Sequence, residues 1–333
     1  MALVTLEQLQ NEIARVLLKY GVREDKARLV SAIYAENSLV GVYSHGANIF
    51  VNTCKRMTEG TIDVNAEPEK AGGLGGFERW DGNKGIGPYN AYLCAARAVE
   101  LAREHGIGCV SLRNTNHWGR AGKYTSLIAD NGMIGMCATN GTSCMATWGG
   151  TTSRIGNNPM SIAVPREGGN VAVDMAFSQF SFGQLNNHKA AGKLLPVLGG
   201  YDADGTMTND PNPVIETRKL LPVGYWKGAA FATLIDLVVA SAAVGNTTKQ
   251  LDEIGTDMYM SQIFIAIHFS AIGGSEEARQ IVEDTLAYVK DTELAPGFES
   301  VRFPGQSLID TRKKNLRDGI PLSDAVWEKL LAL

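Results

Sequence analysis

Most of the patterns that mark common protein classes are missing from this chain. Its five cysteines, Cys54, Cys94, Cys109, Cys137 and Cys144, are odd in number and form no CxxC pair. That argues against a disulfide framework and for reduced thiols in a cytoplasmic protein. The 31 basic residues are outnumbered by 35 acidic ones, no continuous basic run is present, and the net charge is -4. No field draws the chain to nucleic acid or to an anionic membrane. The opening MALVTLEQLQNEIARVL lacks the basic region and long apolar core of a secretion signal. The five histidines, His45, His105, His117, His188 and His268, form no HExxH and have no cysteines at zinc spacing, so no metal is expected. There is no GxSxG elbow. Neither GGLGGF nor GNKGIG supplies the GxGxxG fingerprint of a Rossmann cofactor site.

What is present is an ordinary globular composition, 44% apolar over 333 residues, enough for a large core and more than one structural unit. Thr5 and Gln8 form a capping box and Val4 against Leu9 a hydrophobic staple, so a helix starts at residue 6. Leu6, Leu9, Ile13, Val16 and Leu17 give it one apolar face, and Gly21 ends it. A second amphipathic helix covers about 24–40, with Ala27, Val30, Ile33 and Tyr34 inward. The glycine-rich stretch 71–87 reads as a break before the next unit. Helices are expected near 90–104 and 228–243, and strands at 106–114, 132–140, 157–165, 171–177 and 261–269. The run 228–245 is long and apolar but holds Asp236, so it reads as a buried helix rather than a membrane span. The tail 323–333 is a short amphipathic helix able to return to the first unit. This is an α/β or α+β body with helical material at its N-terminus.

Four stretches could carry chemistry. In VGVYSHGANIF (40–50), His45 is either a reaction centre or the corner residue after a helix; two packed helices give it a rigid mounting. In RNTNHWGRAGKY (113–124), Asn114, Asn116, His117, Trp118, Arg120 and Lys123 follow a strand, which suits a binding loop as well as a hydrogen-bonded surface turn. His117 and His45 could share proton transfer and substrate anchoring if the fold joins them. The stretch 137–165, with Asn140, Gly141, Thr142, Asn157 and Asn158, suits a pocket wall. Lys227, in PVGYWKG, opposes the dipole of the helix it begins, a placement suited to meeting an anionic cofactor.

Taken in order, YSHG, RNTNHWGRAG, RIGNNP, VDMAFSQFSFG, LPVGYWKG, SQIFIAI and RFPG resemble the malate/L-lactate dehydrogenase-like, non-Rossmann family of NAD(P)-dependent oxidoreductases, over nearly the whole chain. The resemblance implies a mixed α/β fold: a discontinuous helical domain (1–70, with 270–333 returning to it) and a non-Rossmann cofactor domain (71–269) with a large, mainly antiparallel sheet. It implies a homodimer, NADH as cofactor with NADPH as the alternative, and reduction at C2 of a keto acid. A 2,3-diketo-L-gulonate-type sugar acid is the first substrate expected; malate/lactate-type and cyclic imino acids are alternatives, and a catalytically silent binding protein is the alternative of another class. By the same resemblance His45 is the catalytic acid–base, His117 binds or polarises the substrate, and Ser44 positions the turn. Asn116, Arg120 and Thr142 are substrate candidates. Cofactor binding falls to Val173, Asp174, Met175, Ala176, Phe177, Ser178, Trp226, Lys227, Pro304, Gly305 and Gln306. Two departures stand out. Ile49 occupies the place where the family commonly has a carboxylate-gripping arginine, and PGQSL replaces PGHE in the late turn.

Overall fold

The computed structural model describes residues 1–333. The first segment builds β1 (Ala2–Val4), α1 (Leu6–Lys19), α2 (Glu24–Leu39) and α3 (Ala47–Thr58), with a short 3₁₀ turn at Tyr43–His45 before α3. The capping box forms: Thr5 Oγ1 accepts the Gln8 N–H, and Gln8 Oε1 accepts the Thr5 N–H. Leu9, Ile13, Val16 and Leu17 are buried with Val30, Tyr34 and Phe50 in one core. Truncating such a leucine costs about 2–5 kcal/mol, a large share of a typical net stability.

The middle of the chain runs β2 (Glu69–Leu74), β3 (Phe77–Asp81), α4 (Gly87–His105), β4 (Ile107–Asn116), α5 (Ala121–Asp130), β5 (Ile134–Thr139), β6 (Ser143–Ala146), β7 (Ser153–Gly156), β8 (Met160–Val164) and β9 (Val171–Met175). It continues through α6 (Phe182–Ala190), β10 (Gly200–Tyr201), β11 (Met207–Thr208), α7 (Pro211–Thr217), α8 (Trp226–Ala243), α9 (Thr248–Ile254) and β12 (Met258–Ile267). Seven strands form one sheet in the order β2-β3-β4-β12-β5-β8-β9, and only the β3–β4 pair is parallel. Central β12 reads almost entirely apolar because both faces are covered: Phe264 and Ala266 meet α4 and α5, while Ile263 meets Val239 of α8. β9 is the last strand, so one of its edges is open.

The chain ends with α10 (Ser275–Lys290), α11 (Gln306–Asp318), β13 (Ile320–Leu322) and α12 (Asp324–Ala332). β13 pairs antiparallel with β1, and Ile320, Leu322 and Leu330 join the N-terminal core.

Two expectations need correction. The glycine-rich stretch after residue 70 is no break: it forms the β2–β3 hairpin, whose ladder to β4 outweighs the weak strand preference of glycine. The apolar run at 228–243 is a helix, but only one side of it is buried. Gly228, Ala229, Ala232, Val239, Ala240 and Ala243 pack inward, while Phe231, Leu234 and Leu237 are 57%, 57% and 50% exposed. Composition reports how apolar a helix is; which face is covered depends on where the small residues fall.

Candidate active site

A cavity of about 730 Å³ opens between the Tyr43–His45 turn, loop 117–120, strand β9 and the start of α11. His45 reaches it from a turn clamped to the end of α2. Asn37 Nδ2 donates to the His45 carbonyl at 3.0 Å, and Ser38 Oγ accepts the Ala47 N–H at 3.0 Å. Gly46 makes the clamp possible. A Cβ there would lie 2.1 Å from Ser38 Oγ and 3.0 Å from the Tyr34 carbonyl oxygen, so any side chain would push the turn off the helix.

The two histidines of the cleft are brought together, with ring centroids 5.7 Å apart and planes 21° from parallel. Ser44 Oγ lies 2.9 Å from His45 Nδ1. The Gly119 N–H donates to His117 Nδ1 at 3.1 Å, so that nitrogen carries no proton and the neutral ring holds its hydrogen on Nε2. Burial pushes the pKa of both rings below the ordinary histidine value. For His117 a protonated His45 pushes the same way, with Asp257 opposing; for His45, Asp174 opposes and Arg120 reinforces the fall.

Arg120 is 8% exposed and is the only lysine or arginine lining the cleft. Its Nη1 stands 3.4 Å from Asp174 Oδ2, which also accepts the Gly122 N–H at 2.8 Å. Asp257 also lines the cleft, its Oδ1 accepting from both the amide and the hydroxyl of Thr142 at 2.7 Å. Ile49 lines the cleft as well and offers only hydrocarbon. No group of three or more His, Cys, Asp or Glu side chains gathers as a metal site.

The cofactor candidates divide. Val173, Asp174, Met175 and Ala176 line the cleft, as do Pro304 and Gly305, whereas Phe177 is buried against Phe231 and Gln306 closes the turn onto Phe303. The Ala172 N–H points away from the sheet to the Pro304 carbonyl. By the alternation of an antiparallel strand, the next backbone groups to face that way belong to Asp174 and Ala176. Ser178 does not line the cleft, and its Oγ is buried without a protein partner, whereas α11 begins at the cleft with Ser307 and Leu308 in its lining. A free strand edge and the positive end of a helix suit an anionic dinucleotide. The cavity also lies within the roughly 300–1,000 Å³ of ligand sites.

Other candidates lie elsewhere. Asn116 Nδ2 donates to the carbonyls of Lys84 and Gly85, so its amide braces a loop. Thr142 is tied to Asp257. Trp226 is 59% exposed at the start of α8, with Lys227 Nζ 6.0 Å from its ring centroid, and neither lines the cleft. Asn37 and Asp257 escaped the sequence reading. Asn37 looks like one more polar residue of an amphipathic helix, and Asp257 is brought into the wall by the irregular start of β12, which no periodicity reveals.

The model of the malate/L-lactate dehydrogenase family matches residues 4–331. A 2,3-diketo-L-gulonate reductase of Escherichia coli is 38% identical over 333 residues, covering 99% of both chains. Among solved structures, malate dehydrogenase from Entamoeba histolytica superposes with a TM-score of 0.93 at 25% identity, covering 99% of this chain and 96% of that one. Sulfolactate dehydrogenase from Methanocaldococcus jannaschii gives 0.89 at 27% identity, with 99% and 95% covered. The family expected from the ordered motifs is the family found. The chain belongs to the malate/L-lactate dehydrogenase family and is an oxidoreductase that works with a nicotinamide cofactor.

Proposed function

We propose that this chain reduces the C2 carbonyl of a 2-keto sugar acid of the 2,3-diketo-L-gulonate type, with His45 as proton donor and His117 as the hydrogen-bond donor that steadies the carbonyl oxygen. The observation that carries this division is the Gly119 N–H on His117 Nδ1, which leaves that ring a neutral Nε2 donor. Val173–Ala176, with Pro304 and Gly305, would hold a reduced nicotinamide cofactor, which would supply the hydride when bound. Negative charge growing on the carbonyl oxygen is met by the His117 N–H and quenched by the His45 proton. In the oxidative direction His45 takes the proton back. Ser44 Oγ, on His45 Nδ1, holds the ring in orientation.

Several observations bear on the finer choices. The relative at 38% identity over its full length is a 2,3-diketo-L-gulonate reductase. Asp257 in the wall can accept hydrogen bonds from a polyol and repels the second carboxylate of a dicarboxylate, which favours a sugar acid over oxaloacetate. With Ile49 in place of arginine, Arg120 is the one cation at hand for the C1 carboxylate; its Nη2 makes no protein hydrogen bond, while Nε and Nη1 are engaged. The absence of any other cation from the lining also favours NADH over NADPH, whose 2′-phosphate calls for an arginine or lysine. The exposed face of α8, carrying Trp226, Phe231, Leu234 and Leu237, supports a homodimer. A helical domain of 1–70 with 270–333, set against a sheet domain of 71–269, is supported by the shared core of α1–α3 with β13 and α12.

The test is nicotinamide absorbance with purified protein and a panel of 2,3-diketo-L-gulonate, pyruvate, oxaloacetate and a cyclic imino acid, each with NADH and NADPH. The highest kcat/KM is expected for the sugar acid with NADH. A clear preference for another acid would replace the substrate, and silence across the panel would return the chain to a binding protein.

A further inference from the structure

Asn37 is buried to 0% exposure in the last turn of α2, yet it is polar and does not line the cleft. Both ends of its amide are engaged. Nδ2 donates to the His45 carbonyl at 3.0 Å, and Oδ1 accepts from Arg120 Nε at 3.1 Å. The partners fix that orientation, because a carbonyl only accepts and a guanidinium only donates. Arg120 goes on to Asp174, whose carboxylate also receives the Gly122 N–H. One chain of bonds therefore runs from the His45 turn, through α2 and loop 117–120, to the open edge strand β9. The loop can come this close because residue 119 is glycine: a Cβ there would stand 3.0 Å from Asn37 Nδ2, and its φ of +83° favours glycine besides.

We propose that Asn37 is a positioning residue for His45, holding the imidazole at a fixed place relative to the strand that borders the cofactor side of the cleft. This rests on the reading of His45 as the acid–base group. The length and polarity of the residue follow from it. An amide is the one neutral side chain of this size that can donate to the turn and accept from Arg120 at once. A leucine would fill the space and cut both bonds, leaving a buried carbonyl and a guanidinium nitrogen unpaired. An aspartate would keep the shape and strengthen the hold on Arg120, but it sets an oxygen against the His45 carbonyl and loosens the turn. Because small misplacements of a reacting group are costly in rate, the loss should fall on turnover rather than on binding.

The experiment compares wild type with Asn37→Leu, Asn37→Asp and His45→Ala, measuring kcat, KM for the keto acid, Tm, NADH affinity by fluorescence, and the His45 ring titration by NMR on the protein alone. The groups facing His45 are Ser44 from its own turn, His117 and Arg120 from loop 117–120, and Asp174 from β9. The negative charge of Asn37→Asp should therefore raise the His45 titration midpoint, while Asn37→Leu adds no charge at that site. Both variants should lose about 10–100-fold in kcat with NADH affinity within about threefold, the scale of a modest misplacement, and any rise in KM, through the Arg120 bond that Asn37→Leu also cuts, should be smaller than the loss in kcat. Unchanged kcat with a lowered Tm would overturn the proposal in favour of a purely structural amide. A rise in KM with kcat intact would overturn it by placing Asn37 in the shaping of the cleft. If Asn37→Leu does not fold, the near-isosteric Asn37→Asp carries the test. If His45→Ala keeps its turnover, it is the acid–base reading that has failed.

Discussion

The Tyr43–His45 turn and loop 117–120 each deliver one imidazole to the same cleft, and their backbones treat it in opposite ways. Loop 117–120 aims its own amide, Gly119 N–H, at His117 Nδ1, and burial then keeps that ring neutral. The Tyr43–His45 turn offers His45 Nδ1 a hydroxyl, Ser44 Oγ, which can donate or accept as the ring changes state. His45 also stands in the field of both Asp174 and Arg120, whose effects on its proton oppose each other. The Gly119 N–H favours one neutral tautomer of His117, whereas the hydroxyl at His45 Nδ1 is compatible with either protonation state, as the proposed division of roles requires. A stacked pair of like residues can thus divide the roles of donor and acid–base without any difference in side chain.

Four experiments strain that contrast, in order of expected effect. His45→Ala should lower kcat about 10²–10⁴-fold, the usual worth of a positioned acid–base group, with NADH affinity kept. His117→Ala should cost about 10²–10³-fold in kcat, the scale of one lost oxyanion donor. His117→Gln, which can still donate, should recover part of that loss; if it is as poor as alanine, the donor role is wrong. Asp257→Asn should narrow the kcat/KM preference for sugar acid over oxaloacetate by about tenfold, about 1.4 kcal/mol of discrimination, because like-charge repulsion is removed. An unchanged ratio would take Asp257 out of substrate selection.

The smallest effect is on stability. Folding lowers both histidine pKa values, so the unfolded chain binds more protons below about pH 6.5. Their contribution is complete above that pH and is lost as pH falls toward the folded values, at no more than about 1.4 kcal/mol per unit for each ring. Urea titrations from pH 7 to pH 5 should show this loss, and His117→Asn should flatten it.

Much of this was legible in the residues because local rules and tertiary packing agreed. The capping box at Thr5, the apolar face of α1 and the strands around 107–116 and 258–267 all carry their own signals. The SHG and NHW stretches could be named as candidates, but not joined: His45 and His117 are 72 positions apart in sequence and meet only through the packing of α2 against loop 117–120. Asn37 was invisible because its meaning lies in two partners, one 8 residues away and the other 83. Trp226 and Lys227 show the reverse. Their motif stood out, yet in the chain itself they open to solvent beside an uncovered apolar face.

The central claim is that His45 alone of the two rings titrates during turnover, and the pH dependence of kcat/KM tests it most directly. In the reductive direction the rate should be flat at the acid end. It should fall through a single midpoint below the ordinary histidine value of about 6.5 as His45 loses its proton. That midpoint should persist in His117→Gln and vanish from the residual activity of His45→Ala. A midpoint that survives in His45→Ala and disappears in His117→Gln would contradict the account and exchange the two roles.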